Sequence, residues 1–343
     1  LPEQFSLYGF ARRDIPREKF LELYSHLTDK KGWNEFASHY YYQQGLFEEE
    51  QGYQKLSDRL QKNDQLAGMC LTRLFYLATP PDNYETILSK IQSTQLTDVC
   101  GVSDKKRSGA KHDPVRFSKI ILEKPFGNDL EHARALDRKL AENFKEEQIF
   151  RVDHYLGKEI VQNILAFRFA NGIFDPIWNA RYLDHVQIVI SEKNGIKARG
   201  KFFDGVGNLR DVAQNHLLQL VTAIAMEQPE SFTKESVRDS RAEVMKAIRI
   251  IKPEDVTQSV IRGQYASYSK EADVSDTSRT ETFVAMKLYI DTPRFNDIPF
   301  YVQAGKKMET DFVEISLIFK QTCHILFREY GCPEIGNVLT FRI

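Results

Sequence analysis

Arg151-Val152-Asp153-His154-Tyr155-Leu156-Gly157-Lys158-Glu159 sets a carboxylate, an imidazole, a phenol and an ammonium within six positions. The preceding residues, Gln148 to Val152, read as a short buried strand. Those from Lys158 to Ala170 carry apolar side chains at helical spacing: Ile160, Val161, Ile164, Leu165 and Phe169. The cluster therefore lies at a strand-to-helix junction. A helix N-terminus offers unpaired N–H groups and the positive end of a dipole, and His154, Tyr155 and Lys158 add donors beside it, a combination suited to a phosphate. Taken singly, Asp153 reads as an N-terminal cap and Lys158 as a solvated charge. Four polar groups together favour an anion site.

Upstream, strands and helices alternate. Phe5 to Phe10, Leu71 to Ala78, Phe117 to Leu122 and Gln148 to Val152 read as strands. Arg17 to Leu27, Asn83 to Ile91 and a helix opening at Asn128, with Glu131 three residues on, read as amphipathic helices. Such alternation predicts a mostly parallel sheet covered by helices, with ligands outside the C-terminal strand ends. Arg12 and Arg13 follow the first strand, where an arginine accommodates a 2′-phosphate, so they point to NADP rather than NAD. Two ordinary surface arginines are the alternative. No G-x-G-x-x-G loop precedes them, and the chain opens on what reads as the second strand of a dinucleotide fold. The pair Gly205-Val206-Gly207 lies in another context and is assigned no phosphate role.

Downstream of residue 170 the period changes. Val186, Ile188 and Ile190, and again Val313, Ile315, Leu317 and Phe319, alternate in the manner of strands covered on one face. Val260 to Tyr268, Thr282 to Ile290 and Pro299 to Gln303 are further strands. Leu209 to Met226 and Glu235 to Ile251 read as long helices with wide apolar stripes. The second half is thus α+β, a large, mostly antiparallel sheet with helices on one side.

At 343 residues the chain is long enough for two domains. Lys and Arg number 47 against 48 Asp and Glu, so no overall basic field points to nucleic acid. No apolar run reaches membrane-spanning length and no targeting peptide is visible. Cys70, Cys100, Cys323 and Cys332 lack C-x-x-C spacing and read as reduced thiols of a cytoplasmic protein. Ser103 to Asp113 reads as a basic loop.

His216 lies near the apolar stripe of the helix Leu209 to Met226, where a lone histidine is commonly a hydrogen-bonded core residue. With Asp153 as partner it would be a general base, the carboxylate fixing the tautomer. The nonapeptide 151–159, with Val161-Gln162-Asn163, Arg168-Phe169-Ala170-Asn171, Phe174-Asp175-Pro176-Ile177-Trp178-Asn179, Arg210-Asp211-Val212, Gln214-Asn215-His216, Glu123-Lys124-Pro125-Phe126-Gly127 and Gly305-Lys306, closely resembles the glucose-6-phosphate dehydrogenase family. The resemblance implies oxidation of glucose 6-phosphate at C1, with hydride transfer to NADP and no metal. It implies that His216 is the base and Asp153 its orienting partner. His154, Tyr155 and Lys158 would hold the 6-phosphate. Lys124 would contact sugar and coenzyme, Glu192 and Asp211 the sugar hydroxyls, and Lys306 the substrate. Arg12 would meet the adenosine 2′-phosphate and Tyr76 face the coenzyme.

The same resemblance implies a Rossmann-like coenzyme domain over 1–152, its first strand missing. An α+β domain for substrate and dimerisation would follow over 153–343, incomplete at its C-terminus, in a homodimer or homotetramer. Asp311 departs from the family, which usually has a second basic residue after Lys306. The alternative function is a truncated, non-catalytic chain that binds sugar phosphate or pairs with full-length subunits.

Overall fold

The computed structural model describes residues 5–27, 30–69, 71–97, 118–127, 129–321, 329–331 and 336–343. The loop 103–113, Asn128 and the four cysteines lie outside these residues. The chain divides into two compact units, Leu1–Val152 and Asp153–Ile343.

The first unit runs β1 (Leu7–Ala11), α1 (Arg17–Tyr24), α2 (Lys30–Ser38), β2 (Tyr40–Gln44), α3 (Glu50–Ala67), β3 (Arg73–Leu77), α4 (Tyr84–Ser93), β4 (Ser118–Glu123), α5 (Leu130–Ala141) and β5 (Ile149–Val152). All its strand pairs are parallel, as helical crossovers require. They fall into a pair, β1–β2, and a triplet, β3–β4–β5. Among the described residues no strand joins the two, where the alternation predicted one sheet. Both nevertheless pack on one core, through Tyr8 and Phe10 on one side and Ile120, Leu122 and Ile149 on the other.

Helix α2, strand β2 and helix α3 escaped the sequence reading. Strand β2 opens on three tyrosines with no alternation of apolar and polar types, and α3 buries only Gly52, Tyr53, Leu56, Ser57 and Asp64 along its length. Helix α5 begins later than predicted. Asp129 is its cap, accepting from the His132 N–H at 2.9 Å. Gly127 just before it has φ +106°, and a Cβ there would lie 2.6 Å from the Ala133 nitrogen, so glycine is required.

The second unit holds α6 (Glu159–Phe169), β6 (Leu183–Glu192), α7 (Gly200–Phe203), a π-helix (Leu209–Leu217), α8 (Leu218–Ala225), α9 (Lys234–Ala247), β7 (Val260–Gly263), β8 (Phe283–Leu288), β9 (Phe300–Lys306), β10 (Phe312–Phe319) and β11 (Val338–Arg342). The sheet order is β11-β10-β6-β9-β8-β7. Only β6 and β9 run parallel; the other neighbours are antiparallel. Val186, Ile188, Ile190, Val302, Ile315 and Leu317 form one buried cluster with Ile164, Leu220, Ile224 and Val244 of α6, α8 and α9. Burying each such side chain contributes roughly 1.5–3 kcal/mol.

A fully buried arginine ties α6 to α8. Arg168 Nη1 donates to the carbonyls of Ile224 (3.1 Å) and Met226 (2.6 Å), and Nε donates to Asp175 Oδ1 (3.1 Å). Asp175 also meets Arg294 at 3.4 Å, and Arg294 pairs with Glu227 at 2.8 Å. Burial, with the nearby Arg294 charge, pushes Arg168 down to about 10, against the pull of Asp175. The guanidinium thus satisfies carbonyls at the end of α8 that the helix itself leaves open.

Candidate active site

The chain leaves β5 and turns sharply at the opening motif. Asp153 Oδ1 accepts from the Tyr155 N–H at 2.9 Å, and the Lys158 N–H donates to the Tyr155 carbonyl at 3.2 Å before α6 begins. This side-chain-to-backbone bond is the local turn that aspartate favours. It aims the carboxylate at the π-helix. There His216 Nδ1 lies 3.0 Å from Asp153 Oδ1 and 3.2 Å from Oδ2, and His216 is only 3% exposed.

The Asp153 carboxyl is pulled two ways. Burial raises its pKa, while the His216 hydrogen bond and charge, the Tyr155 N–H and His154 lower it further, leaving it below the usual carboxylate range. Because the folded group is the more acidic, it contributes stability above about pH 4, and that contribution is lost as pH falls through the folded value. Asp153→Asn is therefore expected to lie below the parent in melting temperature at neutral pH, the gap closing below about pH 4. A gap that stays constant down to about pH 3 would contradict the pairing.

Aromatic rings enclose the base. His154 stands edge-on to His216 with centroids 4.5 Å apart, and Tyr155 stacks on it at 4.1 Å and 24°. The Lys158 ammonium is 4.5 Å from the Tyr155 ring centre. Burial, with the Glu192 and Asp153 charges, pushes the Tyr155 phenol up to about 12, so it stays a hydrogen-bond donor at neutral pH. Asp153, His154 and His216 also place potential metal-ligand atoms within 4.8 Å of one another.

A second cluster acts on the first through the charge of Glu192 on the Tyr155 phenol. Glu192 and Lys306 are the last partners in the parallel register of β6 and β9, and Lys306 Nζ donates to Glu192 Oε2 at 2.6 Å. Lys306 is also 3.8 Å from Asp211 Oδ2 and 5.5 Å from the Phe203 ring centre. Asp211 is buried, and Arg199 reaches it at 3.9 Å.

The winding of the chain matters here. Asp211 and His216 are five residues apart, which on an α-helix would set them well around the cylinder from each other. The i→i+5 winding of the π-helix brings them to nearly one face. Glu281 Oε1 accepts from the Leu209 N–H at 3.0 Å where this helix begins. A Cβ at Gly207, φ +76°, would lie 2.3 Å from that carboxylate. Gly207 thus serves the turn into the π-helix.

The structure gathers Asp153, His154, Tyr155, Lys158, Glu192, Asp211, His216 and Lys306 within the second unit. Arg12, Tyr76 and Lys124 belong to the first, each at or just past the C-terminal end of a parallel strand. The Arg12 guanidinium lies 6.0 Å from the Phe47 ring centre, and the Tyr76 hydroxyl donates to Glu123. Sequence reasoning missed Arg199, Phe203 and Arg241. Arg241 on α9, held by Gln219 Oε1 at 3.1 Å, directs its charge toward Asp153. None of the three has a spacing signal. Asp311 accepts from the Lys193 N–H at 2.6 Å, a backbone role.

A parallel β/α unit, followed by a unit that sets a carboxylate–imidazole pair beside lysines and carboxylates, is the plan of an NAD(P)-dependent oxidoreductase. Residues 1–163 match the glucose-6-phosphate dehydrogenase NAD binding domain, and residues 165–343 match the C-terminal domain of the same family. The glucose-6-phosphate 1-dehydrogenase of Chlamydia muridarum is 40% identical over 352 residues, spanning 97% of this chain and 67% of that protein. Glucose-6-phosphate 1-dehydrogenase 2 of Mycobacterium bovis is 37% identical, spanning 100% and 68%. A solved glucose-6-phosphate dehydrogenase in complex with its substrate glucose-6-phosphate superposes with a TM-score of 0.84 at 33% identity, covering 98% of this chain and 68% of that one. The chain belongs to the glucose-6-phosphate dehydrogenase family.

Proposed function

We propose that the chain oxidises D-glucose 6-phosphate at C1 to 6-phospho-D-glucono-1,5-lactone with NADP, and that His216 is the base. The observation carrying this reading is the His216–Asp153 pair at 3.0 Å, with the cation of Lys158 beside the stacked Tyr155 ring. His216 takes the proton of the C1 hydroxyl at its Nε2, and Asp153 holds Nδ1 and stabilises the imidazolium that forms. His154, Tyr155 and Lys158 hold the 6-phosphate, while Glu192, Asp211 and Lys306 hold the sugar. Binding the far end of the sugar places C1 against the base. When bound, NADP supplies the hydride acceptor. Arg12, Tyr76 and Lys124 serve it, a cation past a parallel strand being the donor type that suits a 2′-phosphate.

Mixing the protein with NADP and glucose 6-phosphate is expected to raise the near-ultraviolet absorbance of reduced nicotinamide, and free glucose to give far less. Equal rates with both sugars would refute the phosphate anchor. Lys158→Met is expected to raise the KM for glucose 6-phosphate about 10–100-fold, the worth of one charge-assisted hydrogen bond. An unchanged KM would remove Lys158 from the site.

The protein acts as a homodimer or homotetramer in the cytoplasm, pairing through the six-stranded sheet. Exposed Tyr301 and Ile261 on that sheet support this. Among the described residues no helix is long and apolar enough to cross a membrane. A monomer mass in solution scattering would overturn the pairing.

A further inference from the structure

Tyr155 meets His216 through its ring. The centroids are 4.1 Å apart and the planes 24° from parallel, the closest aromatic contact of the base. A hydrogen bond to Asp153 holds the imidazole at one point, Nδ1, and leaves the ring plane to be set by what it packs against. The face of Tyr155 sets that plane, and with it the direction in which Nε2 points. When His216 takes a proton it becomes a cation lying over the electron-rich face of a phenol ring, an attractive arrangement that the neutral imidazole lacks in full. The contact therefore strengthens as the reaction proceeds. Other charged groups around the pair are Asp153 at Nδ1, His154 edge-on, Lys158 at 4.5 Å from the Tyr155 ring centre, Glu192 acting on the Tyr155 phenol, and Arg241 from α9.

Resting on the functional reading above, we propose that the ring of Tyr155, separately from its hydroxyl, is a positioning element for the base, stacking on His216 to fix its plane and to favour the imidazolium. The same residue then has two separable parts. Its hydroxyl belongs to substrate binding and shows in KM. Its ring belongs to proton transfer and shows in kcat.

Tyr155→Phe removes the hydroxyl alone, whereas Tyr155→Leu removes both. Both variants are expected to raise the KM for glucose 6-phosphate by a similar factor, and Leu is expected to have a kcat about 10-fold below that of Phe. Independently of turnover, the Cε1–H resonance of His216, identified by its loss in His216→Gln, should lie upfield in the parent and in the Phe variant through the ring current. It should move downfield in the Leu variant. Tyr155→Met, unbranched and without a π face, replaces Leu if the latter lowers the melting temperature, and should behave as Leu does. Equal kcat for Phe and Leu in an active parent overturns the inference alone, as does a His216 resonance that does not move. A parent with the expected resonance pattern and no turnover overturns the functional reading, and the catalytic part of the inference with it.

Discussion

His216→Asn lowers kcat about 10²–10⁴-fold while glucose 6-phosphate still binds. Asparagine can keep a hydrogen bond to Asp153 but offers no nitrogen that accepts a proton. His216 is almost wholly buried between Asp153 and the Tyr155 ring, so no bulk water stands ready to replace it. The proposed phosphate and hydroxyl contacts lie on other residues, and a direct titration of the sugar phosphate should return a dissociation constant within a few-fold of the parent. A kcat within 10-fold of the parent would mean that another group takes the proton. Loss of binding equal to the loss of rate would instead make His216 a substrate ligand.

Arg168→Met costs about 3–5 kcal/mol of stability. The methionine fills much of the volume but leaves the Met226 carbonyl without its guanidinium donor and the Ile224 carbonyl with Trp178 Nε1 (3.0 Å) in place of two donors, and it leaves Asp175 to Arg294 alone. Each carbonyl buried without a partner costs about 1–3 kcal/mol. Urea titration should show a lower midpoint with an unchanged slope, and the melting temperature should fall on the order of 10 °C. A loss below about 1 kcal/mol would show that the arginine's burial already cost as much as its bonds return, which its depressed pKa makes a real competitor.

Much of the site was legible because its residues come in dense local motifs. The stretch 151–159 shows its cluster of polar groups through residue types alone, whereas Asp153 does not cap α6, which starts from Lys158, and instead makes a local turn to the Tyr155 N–H. The alternating strands β6 and β10 were equally plain, because one face of each is buried. Part of what escaped had no periodic signature. Strand β2 is a run of tyrosines, and Arg199 and Arg241 reach the cluster from elements that only the tertiary fold brings near. The π-helix left a trace that could have been read. Asp211 and His216, both assigned to one site, are five residues apart, a spacing that an α-helix does not place on one face.

The order of the chain sets the order in which this site can come into being during synthesis. The Asp153–His216 contact closes a span of 63 residues, whereas the Lys306–Glu192 contact closes 114 and must await strand β9. Contacts between residues far apart in sequence repay their loop-closure entropy late. A growing chain therefore has its imidazole–carboxylate pair available before the lysine that pairs with Glu192 has been made, and pulse-labelled amides of the π-helix should gain protection no later than those of β9.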